Sequence, residues 1–497
     1  MSIKKTAAAF IAAVCALSLC ACTNGQTGNS VESGISQTYS ESAGTESEPA
    51  GSVPEAPPGA IAVQYAEKQD ELRAAYKLIS DKKDFPVINI TTLDNESMRS
   101  KDKYVESMVD VFNCGEEYVL TAEAGVKVRG NSTADQGGEK PYRIKFKEKQ
   151  GMLGLHGGSE YKSWVLLRTM WNLAPDYMGL NLARAIFDGK YYSSDCAYVN
   201  LYINGKSAGV YLLCEQNQAA DGRVGVTEPK GGEQPDEIGY LLEMDNYPDQ
   251  NEHPFFSVVH GNGEFTDIAG ETRAFREKAY SIRSDTTTGA QREFIAKYMD
   301  NVYRILLGAA EGRLLMLNES YELISADGVY STPKEAVEAV IDTESLANML
   351  ILEELVQDYD VGEGSFYMAV DFGENSIYPR LTFLAPWDFN WGYSEDPSGG
   401  YYACTFQKPA ADSDRSNVWF ITAMKQDWFG DIVKEKWRSL RERKALVGVT
   451  KAVRAHTATL ANDLGEEAWR TDKASEICSY VNLRIRWLDK QWKADTE

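Results

Sequence analysis

One stretch, residues 341–393, constrains this chain more than any other, because a long apolar helix pattern runs straight into an acidic loop and a short hairpin. It reads IDTESLANMLILEELVQDYDVGEGSFYMAVDFGENSIYPRLTFLAPWDFNWGY. Asp342 and Thr343 suit a helix N-cap, with Glu344 in the first turn. Leu346, Leu350, Ile351, Leu355 and Val356 recur at helical spacing, and the pattern stops at Gln357. Asp358, Tyr359, Asp360 and a loop containing Gly362 and Gly364 follow. Ser365 to Val370 reads as a strand, DFGENS as a turn, and Arg380 to Ala385 as the returning strand, which ends in Pro386-Trp387-Asp388-Phe389-Asn390-Trp391-Gly392. A hairpin therefore sets the distance between two acidic positions. Phosphoryl transfer needs that layout: one carboxylate orients the attacking hydroxyl and another holds the metal on the nucleotide phosphates. Asp is also a common turn residue, so chemistry alone leaves both readings open for Asp358, Asp360 and Asp388.

These residues also resemble a known family. The order L-x-x-x-x-D-x-x-x-x-S/N-F/Y-Y and then P-W-D-F is similar to the spore coat protein H (CotH) kinase-like family. The likeness extends upstream through RGNST, KPYRIKF, WVLLRTMWN, YVNLYINGKSAGVYLLCEQ and GYLLEMD, and covers roughly residues 85–395. It implies an atypical two-lobed protein-kinase-like fold that uses ATP with Mg²⁺ or Mn²⁺. Asp360 matches the family's catalytic Asp, and Asp388 its metal-binding Asp. Ser365 falls where some relatives carry Asn, a second metal contact that a hydroxyl fills less well, and Asn390 supports Asp388. Trp387 and Trp391 read as packing residues of the site.

The upstream motifs suit phosphate. Arg129, Asn131 and Ser132 open a small polar loop, running to Gly138, between the strands Val126–Arg129 and Tyr142–Phe146. Glycine permits close backbone approach to an anion, although the spacing is not G-x-G-x-x-G and an ordinary long hairpin reads equally well. Lys140 precedes a strand on which Arg143 and Lys145 share one face and Tyr142, Ile144 and Phe146 the other. Two adjacent cations beside that loop suit a polyphosphate or a solvated strand face. Lys145 is the first candidate for the phosphate lysine, with Arg143 assisting, although the sequence does not separate Lys140, Arg143 and Lys145 in that role. Its acidic partner is expected on the helix Ala174–Phe187, but Asn181 stands where many relatives are acidic. Glu215 is the substitute, with Glu243 a weaker one.

Other motifs are read against their context. Asp371-Phe372-Gly373 spells a kinase triplet but falls in the hairpin turn, so Asp371 reads as a turn residue. Gly205-Lys206-Ser207-Ala208-Gly209 spells G-x-S-x-G, yet a strand rather than a helix follows it, which argues against a nucleophile elbow. The 4 His form no zinc-type cluster.

Patterning predicts an α+β chain. Short β patterns occur at Glu117–Leu120, Val126–Arg129, Tyr142–Phe146, Trp164–Arg168, Ala197–Ile203, Val210–Leu213 and Gly239–Met244, with Asn204-Gly205 as a hairpin turn. A helix is expected around Gln64–Ser80. Helical patterns dominate from Glu271 to Leu317 and again from Ser416 to Trp492. There Trp419, Trp428, Trp437, Trp469, Trp487 and Trp492 are expected to pack on the body.

The N-terminus carries Lys4, Lys5 and an apolar run from Ala7 to Leu19, too short to span a membrane as a stable helix. Leu19-Cys20-Ala21-Cys22 resembles a bacterial lipoprotein box, so residues 1–22 read as a signal peptide and Cys22 as the lipidated residue. A plain secretory signal is the alternative. Residues 23–59, rich in Ser, Gly, Glu, Thr and Pro, read as a disordered tether. The resemblance implies that residues 60–497 are the kinase-like domain, with an N-lobe about 85–250 and a C-lobe about 270–497. Of 8 Cys, those beyond Cys22 are scattered and permit one disulfide but no framework. A formal net charge of −23 argues against nucleic acid as a partner. The expected partners are a membrane, reached through the lipid anchor, and a secreted or surface protein acceptor. A non-catalytic surface binding or assembly module on the same fold is the competing reading, and a glycan- or wall-associated protein a third.

Overall fold

The computed structural model describes residues 59–80, 85–130, 134, 138, 140–169, 172–250, 253–261, 263–407 and 415–493. Cys22, tether residues 23–58, Asn131 and Ser132 lie outside the described residues. The chain opens with α1 (Ala60–Ser80). Its Tyr65 and Tyr76 hydroxyls donate to Asp110 at 2.6 and 2.5 Å, which docks the helix on the next element.

Seven strands then close into a barrel: β1 (Val87–Thr92), β2 (Val105–Phe112), β3 (Leu120–Val128), β4 (Tyr142–Gln150), β5 (Tyr161–Leu167), β6 (Cys196–Ile203) and β7 (Lys206–Glu215). They follow one another in the order β1-β2-β3-β4-β5-β7-β6, and β1 closes on β6 in parallel. Alternation does the sorting. Val126, Val128, Ile144, Phe146, Trp164, Leu166, Val199, Leu201, Tyr211 and Leu213 fill the barrel. The two short patterns at Glu117–Leu120 and Val126–Arg129 are in fact one strand, Leu120–Val128, preceded by a helical turn at Glu116–Tyr118. Asn204 and Gly205 both take positive φ, 50° and 74°, as the tight β6–β7 turn requires.

The outer face of β5, β7 and β6 is also apolar. Val165, Leu167, Tyr198, Leu212 and Cys214 join a second core with α2 (Ala174–Phe187) and the elements beyond it. Those elements include a five-stranded sheet made of β8 (Gly239–Met244), β9 (Phe255–Val259), β10 (Glu277–Ile282), β11 (Phe366–Asp371) and β12 (Thr382–Phe383), in the order β12-β11-β8-β10-β9. The helical reading of Glu271–Leu317 is corrected here. Thr272–Ala274 and β10 are strands, and helix α3 (Gly289–Ala310) begins only after the Thr288 cap, whose side chain accepts from the Gln291 N–H. Tyr280 and Ile282 are buried in β10 because it pairs on both edges, with β8 and β9, and those partners lie too far along the chain to register in local periodicity.

Further helices include α4 (Thr343–Val356), α5 (Val418–Met424), α6 (Asp427–Glu442), α7 (Ala445–Leu464) and α8 (Ala474–Gln491). Trp419, Trp437 and Trp492 are buried, and Trp428 and Trp487 pack on the core. Trp469 is 41% exposed and carries Arg470 across its ring, so it does not pack on the body as expected. Cys114, Cys196, Cys214, Cys404 and Cys478 are free thiols, although Cys196 and Cys214 face one another across β6 and β7. Among the described residues no helix is long and apolar enough to cross a membrane.

One ion pair ties α8 to α4. Arg484 and Glu354 are both fully buried and paired. Arg484 Nε also donates to the Glu354 carbonyl at 2.6 Å and Nη1 to the Gly400 carbonyl at 2.7 Å, while Glu354 accepts the Tyr402 and Cys404 backbone N–H groups. Removing one partner strands the other charge in the interior. Arg484→Met should therefore lower the unfolding free energy by about 3–5 kcal/mol, and Glu354→Met combined with it should cost less than the two single changes summed. Denaturant unfolding of the three variants checks this.

Candidate active site

Helix α4 is buried on nearly every side, which is why its apolar residues are not confined to one stripe. The Asp342 carboxylate caps it by accepting the Ser345 N–H at 2.9 Å. It ends at Gln357, whose positive φ of 51° turns the chain out of the helix. Asp358, Tyr359 and Asp360 follow at once. The β11–β12 hairpin, in register at Met368↔Phe383, then returns the chain so that Asp388 comes back beside Ser365. Ser365 Oγ lies 3.5 Å from Asp388 Oδ2 and donates to it, and Asn390 Nδ2 donates to Oδ1. Ser365 (φ 53°) and Asp388 (φ 68°) are both left-handed, a conformation costing non-glycine residues about 1–3 kcal/mol. Two such residues in direct contact mark a place where local geometry is held against its own preference.

Helix α2 does much of the holding. The ring of Phe389, fully buried, lies against Gly179, where a Cβ would overlap it. One turn earlier, the buried Asp176 carboxylate accepts the Phe389 backbone N–H. These contacts lock the turn that carries Asp388. Asp176 was not foreseen from the sequence; in isolation it is an ordinary acidic residue in a helix's first turn.

The carboxylates repel one another. Burial pushes Asp176 up to about 8, with Asp388 adding to it and the Phe389 N–H and Arg129 opposing. Burial raises Asp388 as well, against Arg129, Asn390 and Ser365. Asp358 is pushed far above the usual carboxylate range, first by burial and then by Glu353, Asp360, Asp388 and Asp176, and its Oδ1 is buried without a hydrogen bond. Asp360 stands at about 6: burial, Asp388 and Glu363 raise it, while Arg415 lowers it. Burial, together with Glu354, takes Glu353 to about 8.

Two arginines face this group. Arg129 follows β3, packs 5.9 Å from the Trp387 ring centroid and feels the charge of Asp388. Arg415 pairs with Asp360. Arg143, on the outer face of β4, lies within electrostatic reach of Arg129, and its Nε is buried without a hydrogen bond. Gln216 Oε1 and Asn217 Oδ1, just after β7, are likewise buried and unbonded, and Asn217 Nδ2 donates to the Ala385 carbonyl at 2.8 Å.

Not every expected residue comes to this place. Lys145 is exposed, with Nζ 6.0 Å from the Tyr104 ring, and is not brought to the carboxylates. Lys140 Nζ donates to the Ala134 carbonyl at 2.7 Å and so braces its own loop. Glu215 is fully buried but partners His156 at 2.8 Å and Arg223 at 3.7 Å, not Lys145. Glu243 pairs with Arg283. Asn181 donates to the Tyr177 carbonyl at 2.7 Å. Asp371, read from the sequence as a turn residue, is instead the last and buried residue of β11, paired with Gly239, and its carboxylate accepts the Thr227 and Gly373 N–H groups where the turn begins. A cavity of about 780 Å³ lined by His156, Arg184, Lys190, Tyr192, Arg223 and Tyr378 contains none of the clustered carboxylates.

Among the described residues no three His, Cys, Asp or Glu side chains are arranged to hold a metal ion. The donor set around Asp388 is nonetheless hard oxygen, and Asp358 Oδ1 is a buried oxygen without a hydrogen-bond partner, which fits a divalent cation such as Mg²⁺ or Mn²⁺. A family model described as CotH kinase protein matches residues 126–491. No curated protein matches the sequence.

The raised carboxylates fix a pH dependence. Their folded pKa values lie above the ordinary range of about 4, so the folded chain binds more protons than the unfolded one between about pH 4 and pH 8, and stability falls as pH rises through that window. The metal-free chain should thus melt lower at pH 8 than at pH 5.5, and Asp176→Asn should flatten the difference. Equal melting temperatures at both pH values, in wild type and variant alike, would count against the cluster.

Proposed function

Because the chain belongs to the CotH kinase family, we propose that it is an extracytoplasmic protein kinase that transfers the γ-phosphoryl group of ATP to Ser or Thr hydroxyls of a secreted or surface protein. The observation that carries this reading is the convergence of Asp360 and Asp388 from the two ends of one hairpin. The barrel forms the N-terminal lobe of a two-lobed kinase-like fold, and the helices with the five-stranded sheet form the other.

Asp360 takes the proton of the acceptor hydroxyl, for which a group near 6 is well placed at neutral pH. Asp388, with Ser365 and Asn390 beside it, holds the divalent cation. When bound, that ion neutralises charge on the ATP phosphates. Arg129 and Arg143 reach the phosphates from the barrel in place of Lys145, and the unbonded Arg143 Nε, Gln216 Oε1 and Asn217 Oδ1 supply donors and acceptors for the rest of the nucleotide. Asp176 is the acidic residue of α2 that faces this site, in the role first expected near Asn181. A lipid on Cys22 and the tether behind it hold the domain at the outer face of the membrane.

The test is labelling of the purified chain and of added acceptor protein by γ-labelled ATP with Mg²⁺ or Mn²⁺. Asp360→Asn and Asp388→Asn should each reduce labelling about 10²-fold or more. Absence of labelling in wild type, with no rise in melting temperature on adding ATP and metal, would replace the kinase by a non-catalytic surface module.

A further inference from the structure

Arg415 lies 55 positions beyond Asp360 and belongs to no motif in the sequence, yet it is the side chain bound most directly to that residue. Its placement is built from several contacts. Gly362 has no side chain where one would overlap the backbone of Arg415 and Ser416, so the two segments touch main chain to main chain. Asn417 Nδ2 donates to the Val361 carbonyl at 2.8 Å, and its Oδ1 accepts the Trp419 and Phe420 N–H groups, capping α5. Ser416 Oγ accepts the Gln407 N–H at 2.9 Å. Arg415 is thus presented from a capped helix start welded to the acidic turn.

The side chain is equally constrained. Its guanidinium carbon lies over Tyr359, 3.8 Å from the ring centroid. Nη1 pairs with Asp360 and lies 3.4 Å from Glu363, whereas Nε is buried with no hydrogen bond. A guanidinium serving only as a strut gains nothing from a buried, unused donor, which costs about 1–3 kcal/mol. A donor kept for a substrate oxygen explains it.

We propose that Arg415 is a catalytic residue of the phosphoryl-transfer site, contacting the oxygens of the γ-phosphoryl group while Asp360 engages the acceptor hydroxyl. This rests on the kinase reading given above. In the step, the acceptor oxygen bonds the γ-phosphorus as the bond from that phosphorus to the β–γ bridging oxygen breaks. ADP leaves with the electron pair and the hydroxyl proton passes to Asp360. Arg415 transfers no proton; its N–H groups offset the charge spread over the moving group, as an arginine supplied within the same chain can do.

Arg415→Met and Arg415→Lys in the full chain test this by single-turnover labelling, KM for ATP and melting temperature. Arg415→Met should lower the transfer rate about 10²–10³-fold with the KM for ATP changed less than about threefold. Arg415→Lys should fall between, since it keeps the charge but loses the planar fork and the stack on Tyr359. Arg415→Lys tests the role even where Arg415→Met fails to fold. Transfer rates matching wild type in the folded variants, or a loss confined to KM, would overturn the role and leave the kinase reading standing. If wild type itself transfers no phosphoryl group, both fall together.

Discussion

The burial of several carboxylates in one place is the constraint the rest of this molecule must meet. Asp176, Glu353, Asp358, Asp360 and Asp388 are brought together from α2, the end of α4 and the far side of the hairpin, in an interior where unpaired charge is costly. No single element could hold them. The positive charge that makes the arrangement tolerable comes from outside the acidic segment, from Arg129 at the end of a barrel strand and from Arg415 before α5. The barrel and the helical part are therefore joined electrostatically as well as by the apolar outer faces of β5, β6 and β7.

Rigid surroundings follow from the same constraint. Phe389 against Gly179, Asp176 on the Phe389 N–H and Asn417 on the Val361 carbonyl each pin one piece of backbone near a carboxylate. The left-handed residues Ser365 and Asp388 persist because those contacts over-determine them. The buried Glu354–Arg484 pair serves one layer further out, where it fixes α4 against α8 and the 400–404 segment. Arg143, Gln216, Asn217, Asp358 and Arg415 are among the described residues that keep a buried polar atom without a hydrogen bond.

The segment carrying Asp360 and Asp388 was legible from the sequence, as were helix α2 and the Asn204-Gly205 turn, whereas Asp371 closes strand β11 rather than sitting in the turn. Each legible feature rests on local information: a helical or alternating period, a turn dipeptide, or a motif in register with its neighbours. The errors are of one kind. β10 read as helix because both of its sheet partners are distant in sequence. Lys145 and Arg143 share a strand face, but Arg143 lies within electrostatic reach of Arg129 whereas the Lys145 amine lies over the Tyr104 ring.

The sequence by itself determined that the chain is α+β, that its acidic residues bracket a hairpin, and that the order of its motifs belongs to one family. Tertiary structure alone decided which charges meet. Asp176 replaced Asn181 as the helix residue at the site, Arg129 came in while Lys145 stayed out, and Arg415 arrived from a segment without any signature. The reason is physical. Periodicity records which face of an element is buried, whereas pairing between charges depends on which outer faces close on one another once the elements pack.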